Sequence, residues 1–231
     1  MGQATPPLRR DRSRQAAPQV FDHLRARILQ LDMAPGTVLS RTELAASYGL
    51  SQTPIRDALL RLGDEGLVDI FPQHATVVSR IDVAAARQAH FLRRAIECEL
   101  AHLLASDPPA GLVVQLRAQI AVMTALADAP AGPAFIAADR AFHSLMYQAA
   151  GVPELDDVVA RRSGHVDRLR LLHLPTAGKV KAILADHTRI ADAIARGDAA
   201  GAQQAVRAHL SGTLAHVEEI RRRHPDWLSA D

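Results

Sequence analysis

One stretch near the N-terminus constrains the fold most, because it combines a turn signal with a strongly one-sided helix. Residues 48–62 read YGLSQTPIRDALLRL, and the apolar residues that follow Pro54 recur at the spacing of one helix face: Ile55, Ala58, Leu59 and Leu62. Gly49 can adopt the positive φ of a tight turn. Pro54 is tolerated in a first helical turn, which does not need its missing N–H. The stretch therefore predicts a turn followed by a helix with a buried back, and Ser51 as the residue that caps that helix.

Two further helices are predicted before this one. Apolar residues from Val20 to Leu31 recur at helical spacing and predict a helix over about 18–31. Ser40 lies three residues before Glu43, which is the spacing of a capping box, so a short helix should run from about 41 to 47. A helix, a turn at Gly49 and a second helix form a helix-turn-helix.

The segment after residue 64 favours a small hairpin. EGLVDIF and ATVVSRI are rich in β-forming residues and are separated by a short turn, Pro72, Gln73 and His74. Three helices and this hairpin predict a winged helix-turn-helix, with Ser51, Gln52, Thr53 and Arg56 on the front of its last helix. Such groups can donate to phosphates and base edges. From the pattern alone, a DNA-binding domain and a helical subdomain without a nucleic-acid role both remain open.

The rest of the chain is expected to be helical. Of 231 residues, 48% are hydrophobic and only 3% aromatic, which favours packed helices over an all-β fold. Helical patterns without strand alternation continue from residue 82, broken by Pro and Gly. They predict an antiparallel six-helix bundle, over about 81–105, 112–128, 134–150, 153–172, 179–196 and 198–223. We therefore predict a mainly α chain with a basic, disordered arm (1–17), a DNA-binding domain (18–80) and an all-helical domain (81–231).

Composition also indicates where such a chain works. No apolar run approaches the roughly 20 residues that cross a bilayer, the N-terminus lacks an apolar signal region, and the lone Cys98 fits a reducing compartment. A cytoplasmic location without membrane contact is the expectation. Residues 1–16 contain four arginines and one aspartate, so this arm either touches phosphate backbone or is a solvated tail.

Histidines are concentrated in the helical part, with nine of the eleven beyond residue 81. Asp139 and His143 are four residues apart and so share a helix face, while His187 and His209 fall on the inward edges of their helices. One carboxylate and three imidazoles can hold a divalent transition metal. The same spacing also fits a surface Asp–His hydrogen bond and satisfied core histidines.

The N-terminal segment SRTELAASYGLSQTPIRDALLRLGDEGLVDIFPQHATVVSRID resembles the winged helix-turn-helix of GntR-family bacterial transcription regulators, without a gap over some forty positions. In that family the second helix of the motif enters the major groove and the wing tip approaches the minor groove. The resemblance implies DNA contacts from Ser51, Gln52, Thr53 and Arg56. Further candidates for DNA contact, at or beside positions where the chain departs from the family pattern, are Arg41, Thr42 and His74.

The chain departs from the family pattern in three places, one of them two residues long. Most relatives have arginine where this chain has Gln52, and glutamine prefers adenine to guanine edges. An arginine is usual at Thr42, and the wing tip usually reads Arg-Gly where this chain has His74-Ala75. We therefore expect an operator that differs from the common one of the family.

The helical part is similar to the FCD effector domain of the FadR subgroup, in LRRAIECELAHLLA, DRAFHSLMYQAAGVPEL and ADHTRIADAIARGDAAGAQQAVRAHL. The combined likeness covers about 18–223. It implies a metal held by one Asp and three His, which map onto Asp139, His143, His187 and His209. Zinc is the first expectation, with nickel, manganese and iron as alternatives. An effector-binding arginine maps onto Arg93, which is equally placed for an intrahelical pair with Glu97.

These features predict a homodimeric repressor that binds double-stranded operator DNA and responds to a small carboxylic acid at the metal and Arg93. One alternative is a DNA-binding regulator whose helical domain only dimerises. A metal-dependent hydrolase is less favoured, because no carboxylate is placed as a general base beside the four ligand candidates. The chain is therefore not expected to be an enzyme.

Overall fold

The computed structural model describes residues 11, 13–72, 74–127 and 132–229. Most of the predicted disordered arm, 1–17, lies outside the described residues. Contacts divide the chain into two compact units, the described parts of Met1–Val83 with Arg221–Asp231, and of Ala84–Ile220. The mainly helical fold predicted above, with a winged helix-turn-helix before a helical domain, is confirmed.

The first unit contains three helices and a small antiparallel sheet. In chain order they are α1 (Ala16–Leu29), β1 (Val38–Leu39), α2 (Arg41–Tyr48), α3 (Gln52–Asp64), β2 (Val68–Phe71) and β3 (Ala75–Val78). The strand order is β1-β3-β2, and the β2–β3 hairpin is the predicted wing, closing with Phe71 opposite Ala75. The two-residue β1 was not predicted, since it is defined by its pairing with β3 rather than by a local pattern.

The turn between α2 and α3 forms largely as its residues predict. The Ser40 hydroxyl accepts a hydrogen bond from the Glu43 N–H at 3.2 Å and so caps α2. Gly49 ends that helix with φ of 62°, a left-handed conformation that costs glycine little. Ser51 occupies the N-cap position of α3 with extended backbone, but its side chain makes no capping hydrogen bond, which leaves the hydroxyl at the surface.

The core of the first unit lies between α1 and α3. The apolar back of α3 is buried as predicted, against the inward face of α1. Arg25 on α1 pairs with Glu65 just after α3 at 2.6 Å, and both side chains are largely covered. Helix α3 is therefore fixed to α1 by apolar packing and by this ion pair.

The C-terminal residues return to the segment that follows the wing. The Ile81 N–H donates to the Trp227 carbonyl at 2.8 Å, and the Ser229 N–H donates to the Ile81 carbonyl at 3.0 Å. Ile81 and Leu228 are both buried. This pairing joins residues far apart in the chain and groups residues 221–229 with the first unit, whereas the sequence patterns suggested a single domain over 81–231.

The second unit is all helical in its described residues. Its helices are α4 (Val83–Ser106), α5 (Leu112–Ala125), α6 (Pro133–Ala149), α7 (Pro153–Arg162), α8 (Gly164–His173), α9 (Lys179–Ala195), α10 (Ala199–Ser211), a 3₁₀ turn (Leu214–His216) and α11 (Val217–Arg223). The first residue of α4 and the last three residues of α11 are grouped with the first unit. Helix α5 packs on α6 and α9, and α9 packs on α10. Within the described ranges, no helix combines the length and apolarity that crossing a membrane requires.

Two of the six predicted helices are divided. The predicted helix over 153–172 is α7 and α8, which meet at Ser163, whose hydroxyl donates to the Val159 carbonyl at 2.8 Å. The predicted helix over 198–223 is α10, the 3₁₀ turn and α11, and it is interrupted at Gly212. In both places a glycine and a small polar residue adjoin, a combination that weakens helix continuity.

Candidate metal centre and nucleic-acid interface

The residues predicted to contact DNA lie on the surface of the first unit. All seven are exposed: Arg41, Thr42, Ser51, Gln52, Thr53, Arg56 and His74. Gln52 donates from its side-chain amide to the Thr42 hydroxyl at 3.4 Å, so the two helices of the motif meet at this surface. The Arg56 side chain is 61% exposed, with Asp57 at 3.4 Å. An exposed pair of this kind is weak, which leaves the guanidinium available to a phosphate or base.

The wing tip lies in the turn between β2 and β3. His74 is exposed, and its backbone N–H donates to the Phe71 carbonyl at 3.1 Å. Ala75 begins β3 as the partner of Phe71. The turn is therefore closed by backbone bonds, which leaves the imidazole of His74 at the surface.

Helices α6, α9 and α10 bring the four predicted metal ligands together. Asp139 and His143 come from α6, His187 from α9 and His209 from α10, and all four are buried. One potential ligand atom from each lies within 4.8 Å of the others. The three histidine Nε2 atoms form a triangle with sides of 3.2, 3.3 and 3.3 Å, and Asp139 Oδ1 lies 3.5 Å from His187 Nε2.

The triangle of nitrogen atoms fits a bound metal ion. A tetrahedral zinc with Zn–N bonds of about 2.0–2.1 Å sets its nitrogen ligands about 3.3 Å apart. Three imidazole nitrogens that face one another cannot all be satisfied by protons, because at each contact one nitrogen must donate and the other accept. Asp139 Oδ1 is also buried without a hydrogen-bond partner in the described structure. A divalent cation would satisfy all four atoms at once.

Neighbouring side chains hold the ligands in place. His143 Nδ1 lies 2.8 Å from Glu97 Oε2, and His209 Nδ1 lies 3.4 Å from Asp186 Oδ2. These carboxylates favour the tautomers whose Nε2 atoms are free to bind a metal. Phe142 stacks on the ring of His187, with centroids 4.1 Å apart.

Arg170 contacts the other oxygen of the Asp139 carboxylate, Oδ2, and also lies 3.5 Å from Asp167. Asp139 Oδ1 remains directed toward the histidine cluster. Arg170 therefore orients this carboxylate in the way that Glu97 and Asp186 orient the imidazoles.

The protonation states in the cluster suit metal binding. Burial lowers the pKa of His187 well below 6.5, and burial is also the main cause that lowers the pKa of His209. Burial opposes ionisation of Asp139, but the Arg170 guanidinium and the imidazoles outweigh it and hold the pKa of Asp139 well below 3.8. Near pH 7 these two histidines are neutral and the aspartate is ionised, which are the forms that bind metals.

A cavity adjoins the cluster. Asp139 and His209 contribute to its wall. The further lining residues come from five helices, from the residue that follows α8 and from the turn that follows α10: His90, Arg93, Phe135, Ile136, Val166, Arg170, Leu174, Lys179, Ile183, Leu210, Thr213 and Leu214. Arg93 pairs with Glu97 at 2.6 Å. The intrahelical pair considered for this arginine is therefore present, and the residue also lines the cavity, while its contact with an effector stays a prediction.

Three residues of the site were missed by the sequence reasoning. Asp186 directly precedes His187, yet its carboxylate approaches His209 on the next helix. Arg170 and Lys179 come from α8 and the start of α9 and meet the cavity only through packing. No local pattern distinguishes these two from solvated surface cations.

The exposed helix-turn-helix surface and the helical second unit are typical of a DNA-binding transcription regulator. Residues 16–78 match the family "Bacterial regulatory proteins, gntR family", and residues 88–212 match the FCD domain. The chain belongs to the GntR family and carries an FCD domain. Proteins of this family bind operator DNA and a small-molecule effector, and FCD domains often bind metal. The family consists of transcriptional regulators rather than enzymes.

Similar proteins span nearly the whole chain. A relative from Streptomyces ambofaciens, named as an uncharacterized HTH-type transcriptional regulator in an unstable DNA locus, is 36% identical over 92% of this chain and 89% of its own length. The HTH-type transcriptional repressor RspR of Escherichia coli K12 is 29% identical over 92% and 93%.

Solved structures show the same fold at low identity. McbR/YncC of E. coli has a TM-score of 0.74 at 16% identity, covering 91% of this chain and 99% of its own. A GntR transcriptional regulator from Rhodococcus sp. RHA1 has a TM-score of 0.71 at 21% identity, covering 88% and 97%. These similarities establish the fold.

Proposed function

We propose that this regulator is a repressor whose affinity for operator DNA is controlled by a small carboxylic acid bound at a metal centre in its helical domain. The observation that carries the proposal is the Nε2 triangle of His143, His187 and His209, which fits one cation and adjoins a cavity lined by cationic side chains.

Zinc is the metal that the donor set favours. Three imidazole nitrogens and one carboxylate oxygen suit zinc, and they also suit nickel, manganese and iron. When bound, the ion would offer a carboxylate a Lewis-acidic coordination position. Asp139, His143, His187 and His209 would hold it. Arg93 lines the same cavity, and its guanidinium has the planar donor geometry that carboxylates accept.

The proposed DNA-binding surface consists of the exposed residues of α2, α3 and the wing. A homodimer would present two α3 helices to a two-fold operator, because symmetric half-sites mirror protein symmetry. Arg56 is the residue best suited to a guanine edge, and Gln52 suits an adenine. Arg41, Thr42, Ser51, Thr53 and His74 would position the protein on the backbone and neighbouring bases.

The direction of control follows from linkage. An acid that binds the DNA-free arrangement more tightly than the operator-bound one must weaken operator binding by the same factor. Repression is supported by the relative RspR, which is named a transcriptional repressor. Because RspR is 29% identical to this chain, it supports the class of regulation but does not indicate the effector.

Two variants test DNA binding and metal binding separately. Arg56→Ala should weaken binding to an operator selected from random DNA by about tenfold or more, with metal content unchanged. The control Arg196→Ala removes an exposed arginine at the end of α9. His187→Ala should lower metal content and abolish the response to acids while operator binding persists, with the exposed His102→Ala as its control.

Metal analysis and a thermal-shift screen of small carboxylic acids complete the experiment. Full metal occupancy in His187→Ala would show that the ligand assignment is wrong. Purified protein without metal, whose stability a chelator does not change, would instead support a helical domain that only dimerises. A binder among the acids would raise the melting temperature of metal-loaded protein by mass action.

A further inference from the structure

Lys179 is a cation in the cavity wall that forms no direct ion pair in the described part of the chain. Its residue is half-buried, and in the described structure its ammonium joins no ion pair or hydrogen bond. Arg93 and Arg170, the other cations of the wall, are each paired with carboxylates. Burial, together with Arg170, lowers the pKa of Lys179 by more than the carboxylates of Asp186 and Asp139 raise it, so its positive charge is disfavoured where it lies. A partly desolvated cation in this position is stabilised by an anion that enters the cavity.

The backbone beside Lys179 leaves room for its ammonium. Lys179 begins α9, and its Nζ reaches Gly212 at the end of α10. A Cβ on Gly212 would lie 2.8 Å from Nζ, closer than such atoms approach. Gly212 has φ of −67°, which any residue can adopt, so here the glycine matters for space rather than for backbone conformation. A methyl group at this position would displace the ammonium.

The remainder of the wall is mostly apolar. Phe135, Val166, Leu174, Ile183 and Leu214 are representative, and Thr213 is the one hydroxyl-bearing side chain among the lining residues. His90 is already bonded to the Leu210 carbonyl at 3.1 Å. A polyhydroxylated sugar acid would bury several hydroxyls with few partners, which is unfavourable. An aliphatic segment is the better match to this surface.

The geometry points to a short aliphatic dicarboxylate as the effector. One carboxylate binds at the metal centre beside Arg93, the methylene segment packs on the apolar wall, and the second carboxylate pairs with Lys179. This inference rests on the proposed function, because it requires a metal-bound carboxylate, and it adds Lys179 as the residue that distinguishes dianions from monoanions.

Matched ligands isolate the second charge. Malonate, succinate, glutarate and adipate would each be compared with their monoamides by calorimetric titration into zinc-loaded full-length protein, with gluconate as a polyhydroxylated monoacid. The monoamide keeps the size and the first carboxylate but lacks the second charge. We expect the best dicarboxylate to bind about tenfold or more tightly than its monoamide, as for a charge-assisted hydrogen bond in a partly buried site.

Variants test whether Lys179 causes the preference for a dicarboxylate over its monoamide. Lys179→Gln should reduce the dicarboxylate-to-monoamide ratio to within about threefold, leaving monoamide affinity and metal content near wild type. Gly212→Ala retains the charge but displaces it, so it should also reduce the ratio. Lys181→Gln, an exposed change two residues along α9, should leave the ratio unchanged.

The outcomes separate this inference from the proposed function. If monoamides or gluconate bind as tightly as the dicarboxylates, the dianion inference is overturned while the acid-responsive metal site stands. An unchanged ratio in Lys179→Gln overturns the assignment to Lys179. If no acid of the panel binds the zinc-loaded protein, the inference fails, and the proposed function fails with it only when the wider thermal-shift screen of carboxylic acids also finds no binder.

Discussion

Glu97 Oε2 lies 2.8 Å from His143 Nδ1, while the other oxygen of the same carboxylate lies 2.6 Å from Arg93 Nε. One buried carboxylate therefore connects the cavity arginine to a proposed metal ligand. Burial opposes its ionisation, but Arg93 and His143 outweigh this and lower the pKa of Glu97 below its ordinary value of 4.5. The two halves of the proposed effector site are thus linked by a charged group that touches both.

Glu97→Gln tests this link. The amide can donate as well as accept, so it no longer enforces the tautomer of His143 that directs Nε2 toward the metal. Metal affinity should fall by about 10- to 100-fold, measured by competition with a chromophoric chelator. Glu99→Gln, an exposed change on the same helix, serves as the control. An affinity equal to wild type would show that Glu97 does not position His143.

The stability of metal-free protein should fall on acidification. The pKa values of His187 and His209 are lowered in the fold by burial, so the unfolded chain takes up protons first as the pH falls through 6.5. Each such histidine costs up to about 1.4 kcal/mol of unfolding free energy per pH unit below that value. Glu97, whose folded pKa is depressed, adds a loss of the same sign below 4.5.

Urea unfolding at pH 7.5, 6.5 and 5.5 in the presence of chelator measures this dependence. His102→Gln, which alters an exposed histidine, should keep the slope of wild type. Constant or rising stability between pH 6.5 and 5.5 would contradict the neutral, buried state of the two histidines.

Gln52→Arg should change the operator. The Gln52 side chain is exposed at the start of α3, next to the Thr42 hydroxyl. Glutamine pairs best with adenine and arginine with guanine, each worth about 1–3 kcal/mol of discrimination. Selection from random DNA should therefore replace an adenine by a guanine in each half-site. Gln204→Arg adds the same charge at an exposed position of α10 and should return the wild-type site; identical sites from all three proteins would exclude base reading by residue 52.

Two adjacent leucines of α3 give a sharp test of its packing. Leu59 is 2% exposed and Leu60 is 48% exposed. Leu59→Ala should lower the unfolding free energy by about 2–5 kcal/mol, because it removes buried methyl groups and leaves a cavity. Leu60→Ala should remain within about 0.5 kcal/mol of wild type in denaturant titrations. Similar losses in both variants would mean that the helix does not bury the predicted face.

Much of this structure could be predicted because its signals are local. The apolar face of α3, the cap at Ser40 and the turn at Gly49 each depend on residues within a few positions of one another. The hairpin of the wing could likewise be predicted from its two β-rich runs. Interruptions within helices were harder to predict. For example, α7 and α8 are separated at Ser163 although the apolar residues keep their helical spacing across this position.

The winged helix-turn-helix, the helical character of the remainder and the four candidate ligands could all be predicted from the amino-acid pattern, because periodicity, capping and residue type act over short distances. Three other features became visible only in the folded chain: Asp186 lies beside His209, Arg170 and Lys179 line the cavity, and Ile81 pairs with the segment around Leu228. These contacts join residues on different helices or at opposite ends of the chain. Their positions depend on how whole elements pack, and no short window of sequence contains that information.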